Sequence, residues 1–166
     1  MLMMTSITSV TLPERTDPFN LKDFFKTRRD LNVGYDFTDR ILSVTKEVES
    51  LPAIAIYYCD LTELATDDQI KSELSSDHVF QDTSAFCVYL ADMIEKQAKG
   101  EKGDLINTGF ANIFYVVGKN GAVFAVRVHW RSGCRRWDVD ADQLGGLQWI
   151  AGVRVFSTQL PARSSL

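Results

Sequence analysis

The sequence predicts an α+β fold, in which a mostly antiparallel C-terminal sheet of about 4–5 strands packs against helices from the first two thirds of the chain. Three observations carry that expectation. Lys119-Asn120-Gly121-Ala122 sits between two alternating apolar runs, and Asn-Gly is a strong two-residue hairpin signal. Turn residues recur after Arg131 and after Gln143, so the meander continues. Upstream, apolar residues recur at helical spacing behind recognisable caps. A chain of 166 residues fits one domain, residues 1–166, with residues 1–5 and 161–166 expected to fray.

Taken in order, residues 7–12 alternate apolar and hydroxyl side chains and read as an edge strand ended by Pro13. Asp17-Pro18 is a helix opening, and Leu21, Phe24, Phe25 and Arg28 follow at helical spacing before Asn32-Val33-Gly34 breaks the pattern. Thr38 caps a second helix whose inner stripe is Phe37, Ile41, Val44, Thr45 and Val48. Residues 53–58 form an apolar run between Pro52 and Asp60, which suits a strand in the sheet interior. Thr66 and Gln69 have capping-box spacing for a short helix. A longer helix opens near Asp82, presents Phe86, Tyr89, Leu90, Met93, Ile94 and Gln97 on one stripe, and ends by Gly100.

In the last third a register can be written. A two-residue turn at Asn120-Gly121 sets Val117 opposite Phe124, Tyr115 opposite Val126 and Ile113 opposite Val128, all on one apolar face. A turn at Ser132-Gly133 then sets Val128 opposite Trp137 and Arg127 opposite Asp138. The other face collects Phe114, Arg127, His129, Arg136, Asp138 and Asp140. Residues 149–157 read as a further strand with a bulge at Gly152.

A formal charge of −4 and a pI near 5.2 argue against nucleic acid and anionic membrane as partners. The three cysteines, Cys59, Cys87 and Cys134, have no metal-ligand spacing, and no metal or cofactor is expected. The opening Met-Leu-Met-Met-Thr-Ser lacks a cationic region and an apolar core, so the cytoplasm is the expected compartment.

The function class the residues favour is a non-enzymatic binding module. Its binding candidates are Asn112, Arg127, His129, Arg131, Arg135, Arg136 and Asp138, gathered on the polar sheet face and the turn between Trp130 and Trp137. Guanidinium forks suit carboxylate or phosphate, so the expected partner is a protein or a small anionic ligand, and a homo-oligomer is compatible with the pattern. The alternative is a hydrolase or transferase with His129 as base and Cys87 or Cys134 as nucleophile. Walker, dinucleotide, zinc-protease and serine-hydrolase motifs are absent from the sequence. The pairs Asp67-Asp68, Asp138/Asp140 and Glu47/Glu49 read as ordinary solvated carboxylates.

Asp82-Thr83-Ser84-Ala85-Phe86 resembles the Asp-Cys-Ser-Gly-Phe opening of the nucleophile helix in NlpC/P60 peptidases. Asn112-Ile113-Phe114-Tyr115-Val116-Val117-Gly118 resembles the His-Val-Gly-Ile-Tyr strand of the same family. Thr83 stands at the nucleophile and Asn112 at the base, so the resemblance implies an inactive relative.

Overall fold

The computed structural model describes residues 4–74, 78–146 and 148–159. A seven-stranded mixed sheet organises them in the order β1-β3-β9-β5-β6-β7-β2. Its strands are β1 (Thr8–Leu12), β2 (Leu31–Val33), β3 (Ile54–Asp60), β5 (Asn112–Val117), β6 (Val123–Arg131), β7 (Arg136–Gln143) and β9 (Arg154–Ser157). Neighbours run antiparallel except β9 with β5 and β2 with β7, which are parallel. A separate two-stranded ribbon pairs β4 (Ala65–Thr66) with β8 (Gln148–Trp149).

The α+β class stands, but the sheet is larger than expected and is not confined to the C-terminal third. The edge strand β1 and the interior strand β3 match their sequence signals. Strand β2 occupies the stretch read as a helix break; three residues are too few to show any periodicity. The expected strand over 149–157 is split, because Gly152 takes φ +100° and separates β8 from β9. At the start of the chain, Thr5 N–H donates to Asp60 O at 2.9 Å and Met4 bridges to Leu61, while residues 1–3 of the stretch expected to fray lie outside the described residues. Residues 161–166 lie outside the described residues.

Helix α1 (Leu21–Phe24) is shorter than its stripe suggested, and Asn20, not Asp17, caps it through Asp23 N–H at 3.1 Å. Helix α2 (Tyr35–Arg40) starts ahead of Thr38, and a 3₁₀ turn at Leu42–Val44 ends it. Helix α3 (Asp67–Glu73) carries the full Thr66/Gln69 capping box. Helix α4 (Thr83–Lys96) is capped by Asp82 through Ala85 N–H at 3.0 Å. Beyond α4, Gly100 at φ +75° hands its N–H to Gln97 O, and a Cβ there would meet the Trp130 ring at 2.2 Å. Only glycine satisfies both the backbone and the contact.

The hairpin registers differ from expectation, with consequences for the site. The β5–β6 turn uses Lys119, Asn120 and Gly121, with Asn120 at φ +60° and Gly121 at φ +73°, and Gly118 N–H closes on Ala122 O. Phe114 therefore faces Val126 and Asn112 faces Val128, one residue away from the two-residue-turn register. The β6–β7 turn takes four residues, 132–135, with Arg135 at φ +52°, so His129 faces Asp138 and Arg127 faces Asp140. That shift of two preserves the faces of β6 and β7, whereas the shift of one on β5 exchanges its faces.

Both faces of the central strands are covered. One core joins Phe114, Val116, Val126, Val128, Trp137 and Val139 to α1, α2 and α4. The other joins Ile113, Tyr115, Ala125, Cys59 and Val155 to α3 and the β4–β8 ribbon. Helices on a single face are thus corrected to helices on both. None of the helices in the described residues is long and apolar enough to cross a membrane.

Candidate functional site

Alternation along β6 and β7 sends Trp130, Trp137, Val128 and Val139 into the larger core. It leaves Arg127, His129, Arg131, Arg136, Asp138, Asp140 and Asp142 on the opposite face. At the centre is Asp138, only 8% exposed. Arg131 Nε contacts its Oδ2, His129 Nε2 lies 3.6 Å from Oδ2, and Arg136 Nε lies 3.3 Å from Oδ1. Arg136 Nε and Asp138 Oδ1 are shielded from solvent yet lack hydrogen-bond alignment. The structure therefore brings His129, Arg131, Arg136 and Asp138 together.

Arg127 belongs to a neighbouring pair. Its Nε and Nη2 donate to Asp142 at 2.9 and 3.4 Å. Burial acts to lower its pKa, and the Asp142 bond and the charges of Asp142, Asp140 and Asp138 more than offset this and raise it. Asp140, read as a solvated carboxylate, instead accepts from Phe37 N–H at 3.1 Å and supports the start of α2. Arg135 is exposed in the turn, as is Cys134.

Burial holds the His129 imidazole below its ordinary pKa of 6.5; Asp138 opposes that shift, and Arg127 and Arg131 reinforce it. The unfolded chain thus takes up this proton first as pH falls. Stability linked to His129 is present above pH 6.5 and is lost as pH drops through the lowered folded value. Urea midpoints measured from pH 7.5 down to 5.5 are expected to fall more steeply for the wild type than for His129→Gln (a window of about two pH units around the free imidazole value). Parallel curves would remove His129 as the source.

Asn112 is fully buried. Its Oδ1 accepts from Ile106 N–H at 2.8 Å, and its Nδ2 donates to Ile106 O and Val128 O, each at 3.1 Å. It faces the larger core side and ties the preceding loop to the sheet. Cys87 is fully buried within α4 on that same side, away from the face that carries His129. Burial, reinforced by Asp82, pushes its thiol pKa well up, the reverse of an activated thiolate. Thr83, at the nucleophile position of the peptidase resemblance, donates to Val117 O. Thiol labelling of the folded chain is expected to modify Cys134 promptly and to reach Cys87 only on unfolding; early modification of Cys87 would contradict this placement.

One polar centre escaped the sequence reading. Asp67, taken for a solvated carboxylate, is 5% exposed. Its Oδ1 accepts from Tyr115 Oη at 2.7 Å and Trp149 Nε1 at 2.8 Å, and its Oδ2 accepts from Gly145 N–H at 2.8 Å. Burial, then the Asp67 charge and hydrogen bond, drive the Tyr115 pKa far above its usual range. The capping box placed Asp67 at the first helical position; nothing local announced that Trp149 and Gly145 would close over it.

No metal-holding cluster of His, Cys, Asp and Glu occurs among the described residues. Comparison of the chain with protein-family models, curated proteins and solved structures found no match.

Proposed function

We propose that the chain is a non-catalytic binding module whose partner docks on the polar face of β6 and β7 and on the arginine-rich turn between them. One observation carries this reading: Arg131, Arg136 and His129 gather around the buried carboxylate of Asp138, while Arg135 stands beside them in solvent. Cations held by their Nε atoms on a fixed carboxylate are preorganised, so little side-chain entropy is lost when a partner arrives. Trp130 and Trp137, packed edge to face at 5.4 Å beneath the strands, keep the platform rigid.

Converting Arg131, Arg135 and Arg136 together to Ala is expected to reduce partner recovery in affinity capture by about tenfold. Arg135→Glu, which leaves the Asp138 contacts intact, should reduce it in the same direction without altering the melting temperature. An unchanged partner list for both variants would contradict the reading.

A further inference from the structure

Several costs coincide at the β6–β7 turn. Arg131 and Arg136 stand directly opposite each other in the register, and like charges in that position are destabilising. Arg135 holds a left-handed φ of +52°, which a non-glycine side chain disfavours. Arg131 and Arg136 share one counter-ion, the Asp138 carboxylate, and Arg135 stands exposed beside them. The other acids of this face are engaged elsewhere, Asp142 with Arg127 and Asp140 with Phe37 N–H. A chain of net charge −4 thus keeps a local excess of positive charge where the backbone and the cross-strand pairing both oppose it. Strain and repulsion concentrated at one solvent-facing place mark a site.

Resting on the docking reading above, we infer that the occupant of this turn is a short acidic peptide segment of a partner protein, bound through its side-chain carboxylates. Guanidinium forks pair with carboxylates in bidentate geometry, and an Arg-to-Lys exchange keeps the charge while losing the fork. Arg131, with 54% of its side chain exposed, and Arg135 face solvent, and neither they nor Arg136 line the cavities beside α1, along α4 or at the β5–β6 turn, so the arginines form an open surface and not an enclosed pocket for a small anion. Carboxylates on every second residue of an extended segment recur on one side at about 6.6–6.8 Å, so one short segment can present several of them to the turn. The net negative charge of the chain disfavours a long polyanion such as nucleic acid, whereas a few carboxylates meet only the local excess.

The test titrates the 166-residue chain with an end-capped Glu-Gly-Glu-Gly-Glu peptide while backbone amide NMR shifts are followed. Parallel titrations use the Gln-substituted peptide, inorganic phosphate and a ten-nucleotide oligothymidylate. Shifts confined to residues 129–138, weakened about tenfold by Arg135→Glu and several-fold by Arg131→Lys, and fading as salt is raised, are the expected result. Absence of binding, equal binding of the Gln peptide, or tighter binding of phosphate or oligothymidylate would overturn it. If arginine variants lose partners in capture while the Glu peptide fails to bind, the docking surface stands and the acidic-segment inference falls. If neither experiment responds to the variants, both fall.

Discussion

Asp67→Ala is expected to lower the unfolding free energy by about 3–5 kcal/mol, read as a drop in the denaturant midpoint at unchanged slope. The cause is the loss of one acceptor group that serves three donors. Removing the carboxylate leaves Tyr115 Oη, Trp149 Nε1 and Gly145 N–H without it, beneath the packing of Ile70, Leu74 and Ala65. Buried donors that lose a charged acceptor each cost about 1–3 kcal/mol, less where water or a shifted neighbour intervenes. Asp67→Asn keeps one carbonyl oxygen that can accept from Tyr115 and Trp149 but turns an NH₂, itself a donor, toward Gly145 N–H, so roughly half the loss is expected. The same variants should bring Tyr115 ionisation back toward the ordinary tyrosine range, since the Asp67 charge is one cause of its elevation. A wild-type midpoint in Asp67→Ala would mean that this centre contributes nothing to holding α3 and the β4–β8 ribbon on the sheet.

Trp137→Ala is the second large effect, about 3–5 kcal/mol, from cavity formation in the larger core. Trp137 is fully buried, packs edge to face on Trp130, and donates from Nε1 to Gln97 O at 2.7 Å. That bond joins β7 to the end of α4, where Gln97 also organises the following loop through Leu105 N–H and O. Trp137→Phe keeps most of the ring volume and lets Gln97 O retain the Gly100 N–H, so about 1–2 kcal/mol is expected. Because Trp137 lies directly behind Asp138, the Ala variant should also loosen the polar face and weaken partner recovery, whereas Phe should preserve it.

The residues of β6 and β7 announced their own faces. Arg127, His129 and Arg131 alternate with Val126, Val128 and Trp130, and a sheet cannot bury the first set without a large cost, so either hairpin register puts them outward. The residues of β5 announced nothing of the kind. Ile113, Phe114, Tyr115 and Val116 are all apolar because both faces of that strand are covered, and pattern then cannot choose between adjacent registers. Turn length decided the matter, and Asn120-Gly121 accommodates a third residue, Lys119, with both positive φ angles still satisfied.

Candidate residues on the site divided along the same line. His129, Arg131, Arg136 and Asp138 were found together because each is marked by alternation on its own strand. Asn112 joined them only through the one-residue error on β5; in the structure it clamps Ile106. Asp140 and Asp67 were missed as structural acceptors because their donors, Phe37 N–H, Trp149 Nε1 and Gly145 N–H, arrive from distant parts of the chain. Local signals report where a side chain points. They do not report which remote donor will meet it.

Backbone hydrogen exchange, compared between the free chain and the chain retrieved with its captured partners, tests the central claim most directly. The account predicts slowed exchange in residues 129–138, centred on the turn that carries Arg131, Arg135 and Arg136, with β1 and the α4 side unchanged. Protection at the open edge of β1 or over α4, with none at that turn, would contradict it.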